Sequence, residues 1–376
     1  MTFNRREFGK SLGAAVGASV LLPELATTAA AAAAPRLHPA ASPIKLDSNE
    51  NPYGPSPAAV AAITGCESIA CRYPGANDRA LVERLASYYQ LPASQILLGC
   101  GSTEILCIAD RAFLGEGKSA IAAEPTFETV LSLAHAMQAN PIKVAVRADQ
   151  RDDLAAMRAA VTASTGLVYV CNPNNPTGTI VSLQELKGFL DAVPSSVPVL
   201  VDEAYYDFVT DSSYGTVVPW IERYPNLIVA RTFSKVYGMA GLRLGYALGS
   251  RQIIARLRAH KLPINANAAA LAAALASFGD AAHVADQRRK MIVTRDWLVG
   301  ELKHDHRAYV PSHANFMMVQ MGTDVAPIIR AFRERGILVG RKFPSLPTWM
   351  RITIGKPQEM QAYMTALRAI VPAASA

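Results

Sequence analysis

The chain has 376 residues, half of them hydrophobic and 7% aromatic, which is enough for a large buried core and more than one domain. Its formal charge of +7 and pI near 9.2 come from Lys and Arg spread among acidic residues, with no basic block or recognition motif, which argues against a nucleic-acid partner. No continuous apolar run reaches the roughly 18 to 20 residues of a membrane span, and the five cysteines include no metal-like CxxC pair.

Residues 1–34 read as an export signal rather than as part of the fold. The run Asn4 to Lys10 (NRREFGK) matches the twin-arginine pattern, in which an Arg pair precedes a Phe and a Lys. A Gly- and Ala-rich apolar segment, Ser11 to Leu22, follows, and the tract Ala29 to Ala34 offers several A-x-A cleavage sites. A disordered Ala-rich tail with an accidental Arg pair is the competing reading. The signal predicts a periplasmic protein.

Residues 44–57 (IKLDSNENPYGPSP) are polar and turn-rich, the composition of an arm laid over a site. A helix is expected over Pro57 to Ile63, and a second, amphipathic one over Arg79 to Tyr89, preceded by Arg72-Tyr73-Pro74. Ile96 to Leu98 is a short strand that runs through Gly99-Cys100-Gly101-Ser102-Thr103 into a helix over Glu104 to Phe113. Glycines ahead of a helix start expose N–H groups where the helix dipole favours an anion. Ser102 and Thr103 are therefore candidate phosphate ligands, a role compatible with Ser102 as an ordinary N-cap. The strand Ala120 to Ala123 leads to Glu124-Pro125-Thr126-Phe127, where the Phe127 ring is available either to the core or to stack on a flat ligand. Cys100, Cys107 and Cys171 lie in apolar surroundings that read as core; Cys66 and Cys71 are read as free thiols, with a bridge as the alternative in an oxidising compartment.

Three further strands end in polar groups of different kinds. Leu167 to Cys171 ends in Asn172-Pro173-Asn174-Asn175-Pro176-Thr177-Gly178. Val197 to Val201 ends in Asp202-Glu203-Ala204-Tyr205, a carboxylate at the end of a strand where open α/β sheets place ligands. Ile228 to Ala230 leads into Thr232, Ser234 and Lys235, then Gly238, Ala240 and Gly241, with Arg243 eight positions beyond the lysine (243 − 235). Lysine condenses with carbonyls when its surroundings lower its pKa, and hydroxyls with a guanidinium suit a phosphate dianion. An anion beside a pyridinium nitrogen, hydrogen bonds to a ring O3′ and a lysine at C4′ are the set that pyridoxal phosphate requires. Taken alone, Lys235 would fit equally well as a surface lysine in a Gly-rich loop. Strands and helices alternate through residue 250, as in a largely parallel sheet with helices on both faces. Past about residue 265, an Ala-rich helix (Ala266 to Phe278) and a long charged helix (Ala281 to Leu302) precede a smaller α+β region, with strands at Ala314 to Val319 and Arg351 to Ile354 and a helix at Ile328 to Arg335.

Nine segments in register resemble the fold-type I pyridoxal-phosphate-dependent aminotransferases, and within them the histidinol-phosphate aminotransferase-like group. They are SNENPYGPSP (Ser48 to Pro57), RYPG (Arg72 to Gly75), GCGSTE (Gly99 to Glu104), EPTF (Glu124 to Phe127), NNPTG (Asn174 to Gly178), DEAY (Asp202 to Tyr205), RTFSK (Arg231 to Lys235), GLRLGY (Gly241 to Tyr246) and MRITIG (Met350 to Gly355). The resemblance implies an α/β fold, with a mostly parallel mixed sheet between helices in a large domain over residues 73–265. It also implies an arm with part of the small domain over 35–72 and a small C-terminal α+β domain over 266–376.

The same resemblance implies roles. Lys235 forms the Schiff base with pyridoxal phosphate and moves the proton between Cα and C4′; Asp202 keeps the pyridine nitrogen protonated; Asn175 and Tyr205 bond O3′; Phe127 stacks on the ring. Thr232, Ser234, Arg243, Ser102 and Thr103 hold the phosphate, and Tyr73 reaches it from the other subunit of a homodimer with shared active sites. Arg351 grips the anionic group of the substrate, Arg341 sits near a second substrate-binding position, and Asn49 and Asn51 line the site. The activity implied is transfer of an amino group from an amino acid to a 2-oxo acid. Decarboxylation or β-elimination on the same cofactor is the runner-up, and a ligand-binding protein or regulator that kept the fold is the reading from another class. Two departures limit the substrate. Arg36 to Ile44 (RLHPAASPI) lacks the PY-containing segment of the biosynthetic histidinol-phosphate enzymes, and export separates the chain from a cytoplasmic intermediate. Twin-arginine export carries folded proteins, so the cofactor can be loaded before crossing.

Overall fold

Twelve short, mostly aliphatic runs form the strands of the computed structural model, which describes residues 43–372; the expected signal at 1–34 lies outside the described residues. In chain order they are β1 (Ile44–Leu46), β2 (Ile96–Gly99), β3 (Ser119–Glu124), β4 (Asn140–Ala145), β5 (Thr165–Cys171), β6 (Val199–Asp202), β7 (Leu227–Thr232), β8 (Gly245–Gly249), β9 (Tyr309–Val310), β10 (Phe316–Gln320), β11 (Ile337–Val339) and β12 (Trp349–Thr353). Seven of them make one sheet in the order β2-β8-β7-β6-β5-β3-β4, in which β8 alone runs antiparallel to its neighbours. This is the mixed, mostly parallel sheet expected from the alternation of strands and helices.

Strands β5, β6 and β7 are buried along their whole length, which is why they read as unbroken apolar runs rather than as alternating ones. Successive side chains still go to opposite faces. Val168, Val170, Val199, Val201 and Val229 enter one core, while Leu167, Tyr169, Leu200, Ile228 and Ala230 enter the other. Helices Gly75–Tyr89 and Leu183–Ala192 cover the first face, and Ser102–Phe113, Thr129–Ala136 and Arg251–Arg258 cover the second.

The alanine-rich stretch departs from its expected place. It forms helix Ala268–Ser277, and Ala270, Leu271, Ala273 and Ala274 pack with Ala59, Leu81 and Leu85 in the core of the large sheet, not in the small region. Alanines leave no bulk between helices, and two helices of the large region close over them. The smaller core is built from helix Ala281–His304, the antiparallel sheet β12-β10-β9 and helix Pro357–Ile370. β1 joins it from far away in sequence by pairing in parallel with β11, Ile44 against Ile337, which buries Leu46. Tyr205, Phe208 and Val236, from loops that leave the large sheet, pack into this second core and bring the two cores together at one edge.

The cysteines also differ in part from expectation. Cys171 is buried, but Cys100 is exposed in the turn before its helix and Cys107 is half-buried. Cys66 is buried, Cys71 exposed, and both are free. No single helix among the described residues is long and apolar enough to cross a membrane.

Candidate active site

The parallel strands all point their C-terminal ends to the same edge, so the residue that follows each strand arrives at one place. Asp202, the last residue of β6, is level with Cys171 of β5 and Ala230 of β7 and is 3% exposed. One carboxylate oxygen accepts from the Tyr169 hydroxyl at 3.0 Å and the other from the Ala204 N–H at 3.1 Å. Burial pushes the carboxyl up to about 6, against the pull of those two donors and of Lys235, so it is held ionised by weak means and would be stabilised by a cation on its cavity side.

Lys235 follows β7 and shares the cavity with Asp202. Its Nζ donates to the Asn49 carbonyl at 3.0 Å and lies 5.3 Å from the centre of the Tyr205 ring. Burial, reinforced by the positive charge of Arg351, lowers its pKa to about 8, while Glu50 and Asp202 pull the other way. A fraction of the amine is therefore neutral near pH 7, as a lysine that attacks carbonyls must be.

Another part of the cavity lining is a cluster of hydrogen-bond donors. Helix Ser102–Phe113 begins behind Gly101, which has a φ of 78° and supplies no side-chain cap, so the first N–H groups of the helix keep no side-chain partner there. A Cβ on Gly101 would come within 2.2 Å of the Arg243 guanidinium, and one on Gly245 within 2.3 Å of the Ser102 nitrogen. Only glycine lets the guanidinium, the helix start and β8 meet this closely. Thr232 donates its hydroxyl to Ser234 at 2.9 Å, Arg243 reaches the same Ser234 hydroxyl at 3.5 Å, and all three line the cavity with Ser102 and Thr103. These donors suit a phosphate dianion, and they share the cavity with the Lys235 amine and the Asp202 carboxylate. Phe127 supplies the wall; its loop is tied by Thr126 to the Asn174 side chain at 2.8 Å.

The opposite wall comes from the smaller region. Arg351 on β12 donates to the Asn175 Oδ1 at 2.8 Å and to the Asp47 carbonyl at 2.6 Å, and its buried Nε has no partner. Arg351 also lines the cavity, and a guanidinium there suits an anionic group of a substrate. Tyr205 accepts from the Asn49 side chain at 3.1 Å.

Tyr73, expected at the site of the other subunit, is 85% exposed and does not line the cavity of its own chain. Two expected residues are placed elsewhere. Arg341 pairs with Glu128 at 2.5 Å and lies over the Phe343 ring, outside the wall. Asn51 bonds the Val236 carbonyl and the Gln287 side chain, so it anchors the arm beside the cavity instead of lining it. Four residues of the site, Tyr169, Glu50, Asn315 and Thr353, are not evident in the sequence patterns. A hydroxyl-bearing ring two residues from the end of an otherwise aliphatic strand is the available signal for Tyr169; Glu50 and Thr353 fall inside SNENPYGPSP and MRITIG without standing out there, and Asn315 has no signal, because its contact is with the distant arm. Among the described residues no cluster of His, Cys, Asp and Glu is placed to hold a metal ion.

Comparison with known proteins agrees with this geometry. The family of class I and II aminotransferases matches residues 41–367. The histidinol-phosphate aminotransferase of Moorella thermoacetica is 40% identical over 331 residues, covering 87% of this chain and 85% of that protein. Histidinol-phosphate aminotransferase 1 of Thiobacillus denitrificans is 38% identical over 88% of this chain and 86% of its own length. Among solved structures, the histidinol-phosphate aminotransferase of Sinorhizobium meliloti in complex with pyridoxal-5′-phosphate superposes with a TM-score of 0.82 at 25% identity, covering 89% of this chain and 92% of that one. The chain belongs to the class I and II aminotransferases, the fold-type I enzymes that work with pyridoxal phosphate.

Proposed function

We propose that the chain uses the cavity described above to hold pyridoxal phosphate and to move an amino group from an amino acid to a 2-oxo acid, with Lys235 as the reactive amine. The single observation that carries this reading is the placement of Lys235, Asp202 and the Gly101–Arg243 cradle around one cavity. When bound, the cofactor supplies an aldehyde that takes up the amino group and a ring that draws off the electron pair left when the Cα–H bond breaks. Asp202 would hold the proton on the ring nitrogen and so keep the ring electron-poor. Asn175 and Tyr205 would bond the ring O3′, and Phe127 would cover one face and exclude water. The Lys235 amine would take the proton from Cα and return it at C4′. Thr232, Ser234, Arg243, Ser102 and Thr103 keep the phosphate fixed throughout.

The donor is an amino acid whose carboxylate is gripped by the Arg351 guanidinium in the cavity wall. Relatives carry the name histidinol-phosphate aminotransferase, and Arg351 would take that substrate's phosphate in the same way, so histidinol phosphate belongs in the donor screen. Export by the twin-arginine route to the periplasm favours an amino acid available outside the cytoplasm. Replacing Arg5 and Arg6 with Lys should leave the protein in the cytoplasmic fraction. A homodimer in which Tyr73 completes the partner's phosphate site accounts for a tyrosine left 85% exposed on the single chain. Mixed dimers of Lys235→Ala and Tyr73→Ala chains should regain activity that neither parent has.

The test of the reaction is direct. Cofactor-loaded protein mixed with an amino acid should yield pyridoxamine phosphate and the matching 2-oxo acid, and borohydride should leave a pyridoxyl group on Lys235. Release of an amine or of ammonia without pyridoxamine phosphate would instead indicate decarboxylation or elimination.

A further inference from the structure

Asn49 is held unlike any other residue of the arm. Its φ is 54°, in the left-handed region that Asn tolerates better than most side chains, and it is 2% exposed. Its backbone and side-chain polar groups are all engaged. The N–H donates to the Thr353 Oγ1 at 2.9 Å, and the Oδ1 accepts from the same hydroxyl at 3.3 Å. The carbonyl accepts from the Lys235 Nζ at 3.0 Å and from the Asn315 Nδ2 at 3.1 Å, and the Nδ2 donates to the Tyr205 hydroxyl at 3.1 Å. The two residues that hold Asn49 belong to one small sheet. Thr353 ends β12 two positions after Arg351 and so shares its face of the strand, while Asn315 directly precedes β10, whose Phe316 pairs with Thr353.

We propose that Thr353 and Asn315 are positioning residues for transamination: they clamp Asn49 so that its carbonyl stays aimed at the Lys235 amine and its amide at the Tyr205 hydroxyl. The clamp ties the reactive amine to the strand that carries Arg351, so the groups for the cofactor aldehyde and for the substrate anion are fixed by one element. A carbonyl accepting from an amine favours its protonated form, so loosening the clamp makes Lys235 a weaker base. The charged groups around the amine are Glu50 on the arm, Asp202 at the end of β6, Arg351 on β12 and Arg243 after β7, and none is altered by the substitutions below.

The inference rests on Lys235 being the reactive amine, and its test is made on the cofactor-free protein so that the two can fail separately. Trace labelling with acetic anhydride across pH 6 to 10, followed by mass spectrometry of the Lys235 peptide, reads the titration of that amine. Thr353→Val, which trades the hydroxyl for a methyl group, should move the midpoint down and raise labelling of Lys235 at pH 7 about threefold, while Thr353→Ser should track the unaltered protein. Asn315→Ala should move the midpoint in the same direction, and it decides the matter if Thr353→Val does not fold. Wild-type profiles in both variants, or a Thr353→Ser profile as displaced as that of Thr353→Val, would overturn the proposal. Failure of borohydride to mark Lys235 in the loaded protein, with the labelling shifts intact, would instead remove the reading of the lysine and leave the clamp.

Discussion

Asp202 and Glu203 are neighbours in sequence, are 3% and 2% exposed, and face opposite sides of the same strand end. Glu203 points away from the cavity into a closed network. Arg231 pairs with it at 2.6 Å, the Thr216 hydroxyl and the Val217 N–H each donate to it at 2.8 Å, and the Arg231 guanidinium lies 3.9 Å from the Tyr206 ring centre. Asp202 faces the cavity and has only a phenol and one N–H. A buried carboxylate that already has its counter-ion is committed to the fold. One satisfied only by neutral donors keeps an unmet demand for positive charge, and that demand is what a protonated ring nitrogen answers. On the rear side of the strand end, loss of a group should therefore cost stability; on the cavity side, loss should cost turnover.

The largest effect belongs to the cavity side. Lys235→Ala should lower turnover by about four orders of magnitude or more, since it removes both the proposed covalent anchor and the proposed proton carrier, and the melting temperature of the cofactor-free protein should not fall. A drop in that temperature comparable to the effects expected on the rear side would break the distinction. Next comes the rear. Glu203→Gln strands the Arg231 charge in the interior and should cost about 3 to 5 kcal/mol of stability, read as a lower denaturant midpoint. Cofactor-loaded folded molecules of this variant should still turn over, because Glu203 does not line the cavity.

An intermediate effect separates the two carboxylates by pH. The Asp202 carboxyl stands at about 6 in the folded chain, against an ordinary value of 3.8. A raised carboxyl binds its proton more tightly when folded, so its contribution is fully present below the ordinary value and is lost as pH rises through about 6. The melting temperature of cofactor-free Asp202→Asn should thus match that of the unaltered protein near pH 4 and exceed it by a few degrees above pH 7. Adding cofactor should reverse the order at pH 7, because the unaltered carboxylate then has its cation. A constant offset across the pH range would show that Asp202 does not carry the unmet charge.

What the chain discloses by reading follows the same division between cavity and rear, with a further split by distance. Each large-sheet group of the site follows its own strand by a few residues, as Asp202 follows Val199 to Val201 and Lys235 follows β7. A strand end and a polar residue in one short window are visible without a partner. Asn49 could be placed in the site only through resemblance, since its contacts with Thr353 and Asn315 are made across 304 and 266 positions. They depend on β1 finding β11, and nothing in the tripeptide Ile44–Leu46 names that partner. The place of the alanine-rich helix is hidden for a related reason: alanine is compatible with any close helix contact, so its composition fixes the helix and leaves the neighbour open.

The smallest effect concerns a third kind of ion pair, one left in water. Arg341 and Glu128 meet at 2.5 Å with side chains 53% and 39% exposed, so the pair is worth well under about 1 kcal/mol and weakens with salt. Glu128 directly follows Phe127, and the positive charge of Arg341 is felt at Arg351, which places the pair at the border of the substrate wall. Glu128→Gln should leave the melting temperature unchanged within a degree. By freeing Arg341, it should lower KM for a dicarboxylic donor such as glutamate about two- to threefold at low salt, with no change for alanine and no difference at 0.5 M salt. The contrast between donors is the informative part: a second anion on the substrate gains from a released guanidinium, and a single carboxylate, already met by Arg351, does not. Equal changes for both donors would mean that Arg341 alters only the general field of the entrance and does not meet the substrate.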